Sequence, residues 1–272
     1  MPYKWAFLGQ KVGGSSYFNA PANIFIEGQP MGLFYGIRTN GMVGLGSTGP
    51  GVSNGQVIGP GGINYVLQYR NYQNRPGCDP AVDNYPADGD RNFVDELYDR
   101  VVIGNPHPKF TYGFSTSFSY KNLSLSATFN GVYGNDIVNA NALIDNDITR
   151  TGNVRREAFY DRWTPENPNG RFPAFDAYST NEKKLFTDRI VEDGSYLRFA
   201  NLTLSYTVPL KKKSFIQGLS VYGSVNNVCV WTKYSGWDPE VSSYGSDMFR
   251  MGVDSGSYPS ARTYSLGVNL TF

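Results

Sequence analysis

Apolar and polar residues alternate without interruption through the last nine residues of the chain. The even positions carry large apolar side chains, whereas the odd positions carry Ser265, Gly267, Asn269 and Thr271. A period of two residues places the two sets on opposite faces of a β-strand. The segment therefore predicts a strand between two unlike environments, which ends as a strand at a membrane interface would. The apolar set is Tyr264, Leu266, Val268, Leu270 and Phe272.

The same alternation recurs upstream and predicts an all-β chain of about seven strands. Clear candidates are residues 112–120, 123–133, 196–208 and 219–231, with weaker ones at 3–8 and 32–38. Lys121 and Asn122 form a short turn between two candidates of about ten residues, the length of a membrane-spanning strand. The apolar phase changes near Ala200 and Asn201, which predicts a β-bulge.

Composition excludes several classes of protein. The 24 basic and 23 acidic residues leave a net charge of +1, which argues against a nucleic-acid partner. The longest apolar runs are residues 5–8 and 228–231, whereas a spanning helix needs about 20 residues. Transmembrane β-strands escape a hydropathy scan because only every second residue meets lipid. The alternation therefore favours a transmembrane β-barrel.

The connections alternate in length, as they do in outer-membrane barrels. Residues 121–122 and 209–217 are short turns, whereas 39–109, 134–194 and 232–262 are long. Short turns on the periplasmic side would place the C-terminus there too. A helix is predicted over 154–163, with Asn153 as its N-cap. Strand ends predict an outer aromatic belt of Tyr112, Tyr133, Tyr196, Trp231 and Tyr264, and an inner one of Tyr120, Tyr206 and Phe272.

Several short segments, in this order along the chain, resemble the C-terminal part of SusC/RagA-type TonB-linked outer-membrane proteins, which are TonB-dependent transporters. The segments are residues 28–36 (GQPMGLFYG), 98–106 (YDRVVIGNP), 112–114 (YGF), 193–202 (DGSYLRFANL), 226–227 (NN), 234–240 (YSGWDPE) and 267–272 (GVNLTF).

The resemblance implies a large antiparallel transmembrane β-barrel of about 22 strands with long extracellular loops, closed by a plug. Residues 1–272 would supply its C-terminal strands, and the signal peptide, the plug and the segment that contacts the TonB complex would precede residue 1. The implied function is uptake of oligosaccharide or peptide nutrients across the outer membrane. The implied partners are the rest of the barrel, a SusD-like lipoprotein lid, the lipid bilayer and the barrel-assembly machinery. That machinery would recognise the terminal strand, Tyr264, Leu266, Val268, Leu270 and Phe272.

No catalytic or cofactor-binding residue is predicted. Asp88, Asp90 and Asn92 follow the spacing of a calcium loop, but Phe93 stands where that loop needs glycine, so an ordinary acidic loop is the preferred interpretation. His107 lacks the signature of a catalytic base. A Cys78–Cys229 disulfide is possible but not favoured. Lys211, Lys212 and Lys213 fit a solvated turn, with attraction to anionic headgroups as a minor addition.

Eight loop aromatics leave three roles open, because they could stack on sugar rings, contact the lipoprotein or pack on one another. They are Tyr160, Trp163, Phe172, Phe175, Tyr178, Trp237, Tyr244 and Phe249. Two other functions compete with transport. A secreted β-sandwich that binds carbohydrate explains the alternation by two packed sheets. A glycosidase needs a pair of carboxylates, and the sequence marks none.

Overall fold

A computed structural model describes residues 5–8, 22–50, 58–67, 94, 99–146, 152–175, 185–210, 215–240, 243 and 251–272. Two helices, α1 (Asn141–Asp145) and α2 (Arg156–Tyr160), are short. No helix in the described part of the chain is long and apolar enough to cross a membrane. The strands, in chain order, are β1 (Trp5–Leu8), β2 (Asn23–Ile26), β3 (Leu33–Ile37), β4 (Thr39–Met42), β5 (Ile63–Tyr65), β6 (Arg100–Gly104), β7 (Phe110–Tyr120), β8 (Leu123–Tyr133), β9 (Asp136–Asn139), β10 (Val191–Asp193), β11 (Tyr196–Thr207), β12 (Gly218–Thr232), β13 (Val253–Asp254) and β14 (Thr263–Thr271).

The chain divides into two compact units. The core unit comprises Met1–Pro106, Ile137–Glu192 and Ser242–Ser257, and the sheet unit comprises His107–Asp136, Asp193–Val241 and Tyr258–Phe272. The predicted all-β class is confirmed, because strands dominate and almost all of their pairings are antiparallel.

The sheet unit is built on one five-stranded antiparallel sheet in the order β14-β12-β11-β8-β7. These are five of the seven predicted strands, and their alternation specifies the register because a one-residue slip would exchange the faces. Lys121 adopts a φ of 52° in the tight turn between β7 and β8. Antiparallel pairing brings that turn, the β11–β12 connection and the end of β14 to the same end of the sheet.

The predicted β-bulge is confirmed. The register of β11 shifts between Phe199 and Asn201 against both of its neighbours. On β12 the compensating irregularity lies at Asn227, which has a φ of 54°. Asparagine tolerates this left-handed conformation better than most residues. The bulge explains why the apolar residues change from odd to even positions while remaining on one face.

The core unit contains the other two predicted strands and much of what the sequence presented as long loops. Its sheets are β1-β2-β3-β6, β4-β5 and β10-β9-β13. One hydrophobic cluster surrounds Phe34, Val138, Phe186 and Val253, all fully buried, and a second surrounds Ile37 and its neighbours. The described residues of the segment 137–192 therefore pack as folded structure rather than as an extended loop. The sequence of this segment gives no periodic pattern, because its apolar residues are scattered among glycines, prolines and asparagines.

The helix predicted over 154–163 is present but shorter than predicted. Helix α2 covers only Arg156–Tyr160, and its N-cap is Arg155 rather than Asn153. Beyond the helix, Phe172 donates its backbone N–H to Asp161, and Trp163 donates to Phe172. This pairing engages the Asp161 carbonyl and the Trp163 N–H outside the helix, so the helix ends at Tyr160.

Candidate functional site

One face of the five-stranded sheet is apolar and exposed. Side chains meet across the strands in rows, such as Phe118–Leu125–Leu204, whose exposed fractions are 66%, 39% and 47%. Leu266 on β14 is 90% exposed. A contiguous apolar surface of this kind is rare on a protein that faces water. The other exposed members are Tyr112, Phe114, Tyr120, Leu123, Tyr206, Val221, Trp231, Tyr264, Val268 and Leu270.

This exposure contradicts the β-sandwich alternative. In a sandwich the apolar face of each sheet is buried against the other sheet. Here the terminal strand keeps Val268 at 58% and Leu270 at 49% exposed. Lipid, rather than a second sheet, is the environment that matches this face.

The opposite face of the sheet carries small, uncharged polar side chains over most of its length. A representative row runs from Ser117 through Ser126, Thr203 and Ser224 to Ser265. Neighbouring strands are joined by side-chain hydrogen bonds. The Asn201 Nδ2 donates to Asn226 Oδ1 at 2.7 Å, for example, and Ser119 and Ser124 hydroxyls lie 3.1 Å apart. Such a face suits contact with water or with another polar protein surface.

Tyrosine rings cover two glycines of the sheet, where the glycines provide no side chain of their own. On the apolar face Tyr112 covers Gly131, and its hydroxyl donates to the Tyr196 carbonyl at 3.0 Å. A Cβ added at Gly131 would lie 2.4 Å from the tyrosine ring. On the polar face Tyr222 covers Gly267 in the same way. Glycine at these two positions is required by the close approach of the ring.

The aromatic belts need one correction. Tyr112, Tyr133, Trp231 and Tyr264 are exposed near the end of the sheet from which the long connections leave, and Tyr120, Tyr206 and Phe272 are exposed at the other end. Tyr196, however, is only 6% exposed. It pairs with Val132 and Thr232 on the polar face, because Leu197 occupies the apolar face of β11.

A buried ion network joins two of the sequence motifs. Arg198, from the DGSYLRFANL motif on β11, donates from Nη2 to Asp238 Oδ1 at 2.6 Å, and Asp238 belongs to the YSGWDPE motif. The Arg198 Nε lies 3.0 Å from Glu240 Oε2, and its Nη1 donates to Asn227 Oδ1 at 2.6 Å. The side chains of Arg198 and Asp238 are 7% and 4% exposed. The network therefore connects the loop after β12 to β11, the central strand of the five-stranded sheet.

Asp238 is held as a carboxylate. Burial alone would raise its pKa, but backbone N–H groups of Glu240 and Ser260 donate to it and Arg198 lies beside it, so the pKa falls below its ordinary value of 3.8. Asn227 extends the network by donating to the Ser260 carbonyl at 2.7 Å. The neighbouring Trp237 is 81% exposed, so the anchored loop presents an indole ring to its surroundings.

The structure tests only some of the residues singled out in the sequence. Asp88, Asp90, Asn92, Cys78 and the lysines 211–213 lie outside the described residues. Cys229 is a free cysteine on the apolar face beside Phe199. Within the described part of the chain, no group of three His, Cys, Asp or Glu side chains is placed to hold a metal ion.

The loop aromatics that the structure describes differ widely in exposure. Trp163 is buried at 5% exposure and packs beside Gly61, whereas Tyr160, Phe175 and Trp237 are exposed at 70%, 49% and 81%. Phe172 is half-buried. Tyr178, Tyr244 and Phe249 lie outside the described residues. Packing within the loops therefore explains Trp163 and leaves three rings available for contacts with other molecules.

Comparisons with known proteins agree with this architecture. The chain is 35% identical over 180 residues to TonB-dependent receptor P26 of Formosa agariphila, which is 64% of this chain and 18% of that receptor. It is 29% identical over 262 residues to TonB-dependent receptor P3 of the same organism, covering 94% of this chain and 24% of the receptor. It is 25% identical over 194 residues to TonB-dependent receptor SusC of Bacteroides thetaiotaomicron, covering 70% and 18%. No protein-family model matches the chain.

Solved structures show the same fold. A structure of the RagAB peptide transporter superposes with a TM-score of 0.64 at 22% identity, covering 95% of this chain and 25% of that chain. Its "open-open" state gives a TM-score of 0.61 at 23% identity. The chain therefore spans about a quarter of the length of these proteins or less.

Proposed function

We propose that this chain, a homologue of SusC-type TonB-dependent receptors over most of its length, forms part of the wall and loops of a transporter in the outer membrane. One observation carries the proposal. The five-stranded sheet exposes a ladder of large apolar side chains on one face and small polar ones on the other. A β-sheet with these two faces fits between the lipid and the interior of a barrel.

The cargo that fits this family is an oligosaccharide or a peptide nutrient. The superposed structure is that of a peptide transporter, which gives the peptide class a precedent among the similar proteins, whereas the oligosaccharide class is carried over from the resemblance of the sequence segments. Uptake would draw its energy from the TonB complex, through a segment of the complete protein that contacts this complex. A SusD-like lipoprotein would form the lid over the loops. The plug would lie against the polar face of the sheet.

The orientation follows from the connections. Outer-membrane barrels have short turns in the periplasm and long loops outside the cell. The Lys121–Asn122 turn and Phe272 share one end of the sheet, so we place both in the periplasm. The terminal strand, with Tyr264, Leu266, Val268, Leu270 and Phe272, would then be the element that the barrel-assembly machinery recognises.

Deletion of the gene for the complete protein tests the transport role. We expect the deletion strain to lose growth on one nutrient class, supplied as defined oligosaccharides or peptides as sole carbon source, and to keep growth on monomeric sugars and amino acids. Re-expression should restore growth, whereas a variant without the TonB-contacting segment should reach the outer membrane and fail to restore it. Recovery of the complete protein in the soluble fraction would contradict the proposal.

A further inference from the structure

One arginine lies in phase with the apolar residues of the terminal strand, just before the strand begins. Arg262 precedes Tyr264 by two positions, so the period of two residues places it on the side of the sheet that carries Tyr264, Leu266 and Val268. Arg262 is exposed, and it lies at the end of the sheet from which the long connections leave. A charge on a face that meets lipid is tolerated near the membrane interface, where its free-energy cost is small.

The backbone of the neighbouring strand orients the Arg262 side chain. The Arg262 Nε donates to the Asn227 carbonyl at 3.2 Å. Asn227 is held in turn, because its Oδ1 accepts from Arg198 at 2.6 Å and its Nδ2 donates to the Ser260 carbonyl at 2.7 Å. One edge of the Arg262 guanidinium is therefore fixed by the protein itself. A donor that is already oriented loses less conformational entropy when it binds a ligand.

The two terminal nitrogens of Arg262 remain available as donors. Among the described residues, neither Nη1 nor Nη2 has a hydrogen-bond partner, and no carboxylate lies within ion-pair distance of the guanidinium. Two carboxylates of the loop after β12, those of Asp238 and Glu240, contact Arg198 instead. A guanidinium with two free N–H groups at one edge matches two oxygens of a phosphate or a carboxylate. Arg262 therefore presents an unused site for an anion.

Exposed aromatic rings accompany this arginine. Tyr264 follows it in the same phase and is 71% exposed, and Tyr258, four positions before it, is 89% exposed. Trp231 is 53% exposed on the apolar face of β12, where it pairs with Leu197. Rings with an apolar body and a polar edge lie at the level of lipid headgroups. Their faces also pack against sugar rings, so a headgroup that contains both sugar and phosphate matches this surface.

We infer that Arg262 binds a phosphate group of a phosphorylated glycolipid in the outer leaflet, and that the neighbouring rings contact the sugars of the same headgroup. The inference rests on the proposed function for one point, namely that this end of the sheet faces the outside of the cell. A phospholipid supplies a phosphate but no sugar ring for the aromatic side chains. A soluble peptide has poor access to an arginine in phase with residues that lipid covers.

Native mass spectrometry of the purified complete protein in detergent tests the inference. The probes are diphosphorylated lipid A, the same lipid A after enzymatic removal of its phosphates, and phosphatidylglycerol. We expect the diphosphorylated lipid A to bind at least about tenfold more tightly than either of the other probes, and Arg262→Gln to weaken its binding by about tenfold. Arg262→Lys, which keeps the charge and loses the forked donors, should give an intermediate affinity.

Lys121→Asn is the matched control. Lys121 is exposed in the turn at the opposite end of the same sheet, where its Nζ lies 5.3 Å from the centroid of the Tyr120 ring. The substitution removes one positive charge, as Arg262→Gln does, and asparagine tolerates the φ of 52° at this position. It should change the affinity for lipid A less than twofold, because the length of the strands separates Lys121 from Arg262.

Equal binding of the diphosphorylated and dephosphorylated lipid A, equal binding of phosphatidylglycerol, or equal effects of the Arg262→Gln and Lys121→Asn substitutions would each overturn the inference. The comparison of the three probes uses the wild-type protein, so it does not depend on the folding of a variant. If the proposed function fails, the complete protein shows no heat-modifiable band on a gel. If only this inference fails, that band and nutrient uptake are unchanged.

Discussion

At the scale of single residues, the ion pairs of this chain differ in how deeply they are buried and hardly in the distance between their charged atoms. The pair between Arg198 and Asp238 measures 2.6 Å, and that between Arg171 and Asp161 measures 2.5 Å. The first has side chains 7% and 4% exposed, whereas the second has side chains 68% and 37% exposed. Removing one partner of a buried pair leaves the other charge buried and uncompensated. Removing one partner of an exposed pair leaves the other charge in water, where it is solvated.

We expect Asp238→Asn to destabilise the complete protein by about 3 kcal/mol, because Arg198 stays buried without its main counter-charge. The measurement is the temperature at which the folded, heat-modifiable band is lost on a gel. Asp161→Asn is the control and should leave that temperature nearly unchanged. The double variant Arg198→Met/Asp238→Leu should lower that temperature less than Asp238→Asn alone. A larger decrease would contradict the conclusion that the unpaired buried charge of Arg198 causes the loss.

The same pair has a defined pH dependence. The folded-state pKa of Asp238 lies below its ordinary value of 3.8, so its contribution to stability is complete above that value and is lost as the pH falls through the lowered pKa. The stability difference between wild type and Asp238→Asn should therefore stay constant from pH 8 to about pH 5 and narrow below about pH 4. A stability difference that already narrows between pH 7 and pH 5 would contradict a lowered pKa for Asp238.

Glycine beneath a tyrosine is a second feature at this scale. A Cβ at Gly131 would lie 2.4 Å from the Tyr112 ring and 2.5 Å from the Tyr196 carbonyl oxygen, whereas one at Gly113 would find its nearest atom 3.7 Å away. We expect Gly131→Ala to cost about 1–3 kcal/mol, since the ring must move and overpacking is destabilising. Gly113→Ala should be tolerated. If the two variants lost the folded band at the same temperature, the close contact between the Tyr112 ring and Gly131 would not matter for stability.

At the scale of the element, each strand of the sheet unit separates two environments. Leu204 and Ser205 are adjacent on β11, but Leu204 lies in a row with Leu125 and Ser205 in a row with Ser124. Two adjacent residues of the strand therefore lie on opposite faces of the sheet, at nearly the same distance from its ends. This is a property of the period-two geometry, and the bulge at Ala200 preserves it along the whole strand.

We expect Leu204→Lys to reduce the amount of complete protein that folds into lipid vesicles, because a lysine on the lipid face costs about 2–4 kcal/mol near the bilayer centre. Ser205→Lys carries the same charge on the polar face and should fold nearly as well as wild type. The fraction of heat-modifiable protein after refolding measures both. Equal yields for the two variants would argue that the apolar face does not meet lipid.

At the scale of the whole molecule, the sheet is open. Within the described residues β14 pairs only with β12, and β7 pairs only with β8, so both edges carry unpaired backbone groups. Such edges are not viable in a bilayer, where no water satisfies them. We propose that further strands of a longer protein close them, in keeping with relatives of about four times this length or more.

The terminal residue belongs to this scale because its proposed role is in assembly of the barrel. Phe272 is 64% exposed, and its ring lies 5.6 Å from that of Phe215 in the neighbouring connection. Deleting Phe272 from the complete protein should reduce the heat-modifiable protein in the outer membrane. Phe215→Ala, which removes the neighbouring ring and keeps the C-terminus, is the control. Unchanged insertion after the deletion would argue against recognition of the terminal strand.

The sequence by itself determined the strands of the sheet unit, their faces and the bulge, because a period of two residues is a local property of the chain. Only the tertiary structure decided which distant residues meet. Arg198 and Asp238 are 40 positions apart, and Thr39 and Asp188 are 149 apart. Tyr196 and the core within residues 137–192 were misjudged for the same reason, since burial depends on what the rest of the chain packs against each position.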